Sequence, residues 1–199
     1  TMQTVHLFIK EPLPSALLRP FQKGARIEVE VGGDLLSLLT DELCLTEAGI
    51  AKIQTIFYQS KPVDDISTCT VQDGGVLALS AALPGLVGAV LRRGGFWSAL
   101  RDSITHRDEE AEHTTSRGII TVKLFNFMLA EVGPILLERG IQLDMANLAA
   151  LLTEPTIRQQ LVQVSLADQH MSVDELGRLL GGEQTVLLRA DAVNSAGTD

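Results

Sequence analysis

Hydrophobic positions change period several times along the chain. In "TVHLFIKEP", Val5, Leu7 and Ile9 recur at every second residue, the spacing of a half-buried strand. Pro12, Pro14 and Pro20 then interrupt the chain, so residues 11–24 are expected to be turn or irregular loop. "ARIEVEVGG" sets Ile27, Val29 and Val31 on one face and Arg26, Glu28 and Glu30 on the other, which predicts an antiparallel strand with one wet face. Asp34 follows Gly32-Gly33 and is placed to cap a helix over "DLLSLLTDELCL", where Leu35, Leu36, Leu38, Leu39 and Leu43 crowd one broad side. Thr46 begins a second turn or caps a short extra helix. Strand character returns from Thr55 to Tyr58, a turn near Ser60-Lys61-Pro62 leads to a short edge at Val63, and the turn Asp73-Gly74-Gly75 precedes a compact strand from Val76 to Leu79.

The second half reads differently. From Trp97 to Arg117 the chain is polar and charged, as in a linker or the exposed end of a helix that begins near Phe96. In "GIITVKLFNFMLAEVGPILLERG" the apolar positions fit a helical period from Val122 on, although "IITVKLF" alone also reads as a strand. Pro134 is expected to kink or break that helix, and Gly140 to close it. "DMANLAALLTEP" predicts an Asp-capped helix stopped by Pro155, and Ile157, Leu161, Val164 and Leu166 form a third helical stripe that runs toward His170. Ser172 and Glu175 match the Ser-x-x-Glu capping box of a last helix, and "QTVLLRADAV" is a short strand or another turn of helix. No internal repeat or low-complexity tract is visible in the letters.

Strand, strand, helix, strand, short strand, strand within roughly the first 80 residues is the order of the β-grasp fold, in which a mixed sheet wraps one helix. "TIFYQSKPVDD" resembles the second half of ubiquitin, with its Ile-Phe strand, Lys-containing turn and acidic pair. "VQDGGVLAL" is similar to the last turn and strand of the bacterial sulfur-carrier proteins, which run into a tail ending in Gly-Gly. The run Leu91-Arg92-Arg93-Gly94-Gly95 resembles the mature end of a ubiquitin-type modifier, but about 14 residues separate Leu79 from Gly94, and Phe96-Trp97 follow at once. The expected fold class is α+β: a β-grasp (ubiquitin-like) N-terminal domain followed by a mostly helical C-terminal domain. Its expected divisions are a β-grasp domain over 3–83, a connecting segment and polar linker over 84–117, a helical domain over 118–190, and a disordered tail over 191–199.

Composition narrows the chemistry. The chain has 199 residues, 45% of them hydrophobic and only 4% aromatic, so its core rests on aliphatic side chains. A net charge of -9 argues against nucleic acid and anionic lipid as partners. The apolar run "VLALSAALPGLVGAVL" is broken by Pro84-Gly85 and falls short of a membrane span, and the start of the chain lacks the pattern of a signal peptide. Cytoplasmic localisation is the simplest expectation. Cys44 and Cys69 make no disulfide framework, and each is expected to be a buried small hydrophobe. His106, Asp108, Glu109, Glu110, Glu112 and His113 form one dense ligand-type cluster, but the spacing fits a solvated linker and no metal site is expected. His6 and His170 are expected to be surface or satisfied histidines. No phosphate loop, nucleophile elbow or catalytic set is found, so neither cofactor nor catalytic residue is assigned.

Two readings of function remain open. In the first, the protein is a non-catalytic ubiquitin-like interaction module or accessory subunit, with a protein partner. Arg92, Arg93, Gly94, Gly95, Phe96 and Trp97 are then a joint between two halves or an anchor for that partner, an aromatic pair beside arginine being a common hot-spot composition. In the second, which the resemblance implies, the chain is a precursor of a modifier or sulfur carrier. A protease cleaves it after Gly95, and an adenylating enzyme activates the exposed glycine.

Overall fold

The computed structural model describes residues 2–81, 114–179 and 184–194. Among them are ten strands: β1 (Thr4–Lys10), β2 (Ala25–Val31), β3 (Thr55–Tyr58), β4 (Lys61–Pro62), β5 (Val76–Ser80), β6 (Ser116–Phe125), β7 (Ile141–Asp144), β8 (Leu161–Leu166), β9 (Gln169–Met171) and β10 (Thr185–Val193). The helices are α1 (Arg19–Lys23), α2 (Leu35–Ser37), α3 (Glu47–Lys52), α4 (Phe127–Arg139), α5 (Met145–Thr153), α6 (Pro155–Gln160) and α7 (Val173–Leu179). By its internal contacts the chain divides into two units, one of residues 1–20 and 134–199 and the other of residues 21–133.

The unit of residues 21–133 carries the strand order β4-β3-β5-β6-β2. Its centre is a parallel pair, β5 beside β6, with Val76 opposite Thr121 and Ser80 opposite Phe125. The flanking strands β3 and β2 run antiparallel to that pair, and β4 closes a hairpin on β3. Ile27, Val29, Leu77, Leu79, Ile120, Val122, Leu124, Ile56 and Tyr58 turn to one side and are buried. The helical segment after β2 supplies Leu35, Leu38, Leu39 and Leu43 to the core. Asp34 caps it, with Oδ1 accepting from the Ser37 N–H at 2.7 Å, and its last turn, Leu38–Glu42, is π-helical. Thr46 caps α3 in the same way through the Gly49 N–H at 3.1 Å.

The other unit has the order β9-β8-β1-β10-β7, again around a parallel pair, here β1 beside β10. β8 and β7 flank that pair antiparallel, and β9 closes a hairpin on β8. Val5, Leu7, Ile9, Val164, Leu166, Val186, Leu188 and Ala190 are buried, as are Leu148, Leu152 and Ile157 of the helical connection. The Gln160 side chain holds the end of β1, donating from Nε2 to the carbonyls of Lys10 at 3.1 Å and Pro12 at 2.6 Å.

A repeat thus exists in structure that the letters do not show. In both units a strand leads to a capping Asp, Asp34 three residues past β2 or Asp144 at the end of β7, and two helical segments follow. A strand then turns through two residues of positive φ into a short edge strand. Those residues are Gln59-Ser60 (φ 50° and 64°) in one unit and Ala167-Asp168 (47° and 65°) in the other, the signature of a tight hairpin turn matched to strand twist.

This architecture corrects the expected fold class. The second half is not a helical domain, because strands β6 to β10 run through it to Val193. A β-grasp N-terminal domain followed by a mostly helical one is therefore overturned. The physical reason lies in the β-branched runs. "GIITVKLF" is strand up to Phe125, and helix begins only at Phe127, past Asn126 at φ 57°. The stripe Ile157 to Leu166 is helix only as far as Gln160; Val162 and Val164 belong to β8, and His170 sits in β9 rather than closing a helix. "QTVLLRADAV" resolves to strand. Pro134 lies inside α4, which runs on to Arg139 before Gly140 closes it. Residues 11–24 are not all loop, since a 3-10 turn (Ser15–Leu18) and α1 bury Leu17 and Phe21 there. Cys69 is buried as expected, whereas Cys44 is exposed at φ 54°.

Among the described residues, one buried polar side chain is unsatisfied. Thr55 is 1% exposed and its Oγ1 has no hydrogen-bond partner, a burial that costs about 1–3 kcal/mol. Thr55→Val keeps the shape and removes the orphaned hydroxyl. It is expected to raise the melting temperature by about 2–4 °C per kcal/mol recovered, measured by calorimetry; an unchanged or lower value would show that the hydroxyl is satisfied in solution.

Candidate functional site

The residues singled out from the sequence, Arg92, Arg93, Gly94, Gly95, Phe96 and Trp97, lie outside the described residues, as do His106 to His113. The best-defined candidate surface is instead the outer face of the sheet in the unit of residues 21–133. Alternation assigns it: residues between the buried positions of β2, β3, β5 and β6 must point the other way. Phe57 stands opposite Ala78, and Ala78 opposite Lys123. Val76 stands opposite Thr121, Thr121 opposite Arg26, and Ile119 opposite Glu28. Phe57, Val76, Ala78, Ile119, Thr121 and Lys123 are all partly exposed. The face is therefore an apolar strip with charge along its β2 side. At the end of β6, Phe125 is 38% exposed.

The strip is held in place by the turn before β5. Tyr58 is fully buried, and its hydroxyl accepts from the Gln72 N–H at 2.6 Å. A Cβ on Gly75 would stand 2.3 Å from that hydroxyl, so only glycine lets the turn close over it. Asp73 Oδ1 accepts from the Ile119 N–H at 2.7 Å, and the Gly74 N–H donates to the Ile119 carbonyl at 2.8 Å. Both backbone groups of Ile119 are thus fixed by one turn. Gly118 makes room for this, since a Cβ there would meet Asp73 Oδ1 at 2.9 Å and Val31 at 2.8 Å. On the same side of the sheet, Arg117 joins Glu28 at 3.2 Å and Glu42 at 3.0 Å, tying the π-helical turn to β2.

On the strands of the other unit, the outer positions carry a paired polar group beside apolar side chains. His6 Nε2 lies 2.6 Å from Asp191 Oδ2, and the imidazole rests against Phe8 with ring centroids 4.2 Å apart. A half-exposed pair of this kind contributes about 0–1 kcal/mol, against about 1.5–3 kcal/mol for burying each neighbouring Leu or Ile. It therefore orients the ring more than it holds the strand. Ser165 stands opposite His6 in register, so a Ser, His and Asp row crosses three strands. Ser165 is only 3% exposed, however, and no hydrogen bond joins it to His6 among the described residues. The row has a paired histidine and no accessible nucleophile.

Among the described residues no group of three or more His, Cys, Asp or Glu could hold a metal ion, and no helix is long and apolar enough to cross a membrane. Reading the sequence alone missed Phe57, Val76, Ala78 and Ile119 as surface candidates. For Ile119 a signal was present in "GIITVKLF", where both alternating sets are apolar or β-branched at the start.

Removing the anchor of the strip is expected to loosen it. Asp73→Ala should cost about 1 kcal/mol and accelerate hydrogen exchange at the Ile119 amide, with the amides of β2 unaffected. Equal exchange at Ile119 in variant and parent would separate the turn from the strip. No protein-family model, curated protein or solved structure matches this chain.

Proposed function

We propose that the protein is a non-catalytic, cytoplasmic interaction module or accessory subunit of ubiquitin-like type, and that it presents the outer face of the sheet β4-β3-β5-β6-β2 to a protein partner. The observation that carries this reading is the strip Phe57, Val76, Ala78 and Ile119, partly exposed and bordered by Arg26, Glu28 and Lys123. An apolar centre with a polar rim is the composition of a protein interface. The ubiquitin-like part rests on "TIFYQSKPVDD" and "VQDGGVLAL", which supply β3, β4 and β5 to that one sheet.

The precursor reading draws less support. Gly95 lies between β5 and β6 in sequence, and those strands are hydrogen-bonded neighbours. A cut there would also part β1 from β8 and β10, its partners on both sides. Cleavage would leave two pieces interleaved in both sheets rather than release a modifier.

Two measurements test this. Protein recovered from its native cells should carry a stoichiometric partner that Ile119→Glu abolishes, with the variant's fold and melting temperature retained. A partner that survives the substitution, or none with the parent protein, would sink the assignment of the strip. Separately, protein cut once between residues 82 and 113 should elute intact in native buffer and separate only in denaturant. Pieces that part without denaturant would return the precursor reading to first place.

A further inference from the structure

The two units repeat one arrangement but treat their hairpin edges differently. In one, the edge strand β4 is two residues long and consists of Lys61 and Pro62, a charge and a residue without an N–H donor, which discourage pairing with another chain. In the other, β9 holds Gln169, His170 and Met171, with neither device. Among the described residues β9 pairs only with β8, and none of them pairs with its outer edge.

A groove of about 360 Å³ runs beside that edge, lined by Gln169, His170, Met171, Glu175, Arg178 and Leu179. Leu179 of α7 is 63% exposed, the most exposed large apolar side chain among the described residues. On α7, Glu175 and Arg178 attract each other through their charges without a direct hydrogen bond. Glu175 Oε2 accepts from the Ser172 N–H at 2.8 Å and from its hydroxyl at 3.0 Å, and these bonds hold the carboxyl below its ordinary range. Arg178 Nε donates to the Asp174 carbonyl at 3.2 Å. Beyond the attraction between their charges, Glu175 Oε1 and the terminal nitrogens of Arg178 make no hydrogen bond among the described residues. One wall of the groove thus carries an acid and a base, each with capacity to spare.

We propose that the occupant of this groove is a second copy of the chain, paired antiparallel through β9 about a two-fold axis near His170. A two-fold axis makes a surface contact itself. It places Glu175 of one copy toward Arg178 of the next and the reverse, while the two Leu179 side chains cover each other. An unrelated strand would meet an acid and a base of opposite demand, whereas a copy supplies the complement of both. With an edge of three residues and a net charge of -9 on each chain, the dimer is weak and depends on concentration. This surface is distinct from the strip of the proposed partner site, and either can fail without the other.

Sedimentation velocity on the full chain, from about 10 μM to about 1 mM, is expected to show a monomer–dimer equilibrium. Arg178→Glu and Glu175→Arg should each weaken it at least about tenfold, a change of about 1.4 kcal/mol, because each puts like charges across the axis. An equimolar mixture of the two variants should restore association as a heterodimer, since the opposite charges then face one another. Circular dichroism controls for loss of the Glu175 cap. A monomer at every concentration, a dimer indifferent to both reversals, or a mixture that stays monomeric would each overturn the proposal.

Discussion

Each unit depends on a parallel pair of strands at the centre of its sheet. Parallel neighbours cannot be joined by a tight turn; they need a long crossover or strands drawn from distant parts of the chain. Both solutions occur here. β5 and β6 are separated by 35 residues of chain, from Ser80 to Ser116. β1 and β10 come from opposite ends, with Thr4 opposite Leu187. The unit that holds β1 therefore cannot close until nearly all of the chain is present. Its central strand must find partners far away in sequence, a topology that slows folding.

That constraint also bears on the Gly94-Gly95 run. In a modifier the reactive glycine follows the last strand of a finished domain. Here the run comes after β5 but before β6, which pairs with both β5 and β2. A backbone cut between them removes a covalent link while leaving the ladder hydrogen bonds, so the chemistry of a free tail is in conflict with the sheet. The letters match a terminus, and the strand order surrounds them.

The first 80 residues were legible because their signals are local. Alternation in "ARIEVEV", the Asp34 cap and the turn at Asp73-Gly74-Gly75 each act within a few residues, and all three stand as expected. The second half misled because its short apolar runs satisfy two periods at once. Leu161, Val164 and Leu166 suit a helix by spacing, but a hairpin turn at Ala167-Asp168 with positive φ at both residues makes the run a strand. Ala is an unusual residue for that turn, so no cue marked it. The candidate surface was less legible still. Phe57, Val76, Ala78 and Ile119 become neighbours only once β5 is known to lie beside β6, and that register joins residues about 45 apart.

The two outer faces differ in what their side chains are committed to. On the sheet containing β1, His6 is engaged by Asp191, His170 by Gln163, and Arg189 by the Glu138 carbonyl at 2.7 Å. Polar groups that satisfy one another within the unit give up little on meeting a partner and gain little. On the sheet containing β5 and β6, the centre is apolar, and water is the only alternative to a covering surface for whatever area stays exposed. Removing such area from water contributes about 25 cal/mol per Å² without demanding that any hydrogen bond be exchanged. Of two sets of strands built to the same plan, the second is the one whose outer face would gain free energy from the proposed partner. In the proposed interface, the rim charges Arg26, Glu28 and Lys123 would select among partners.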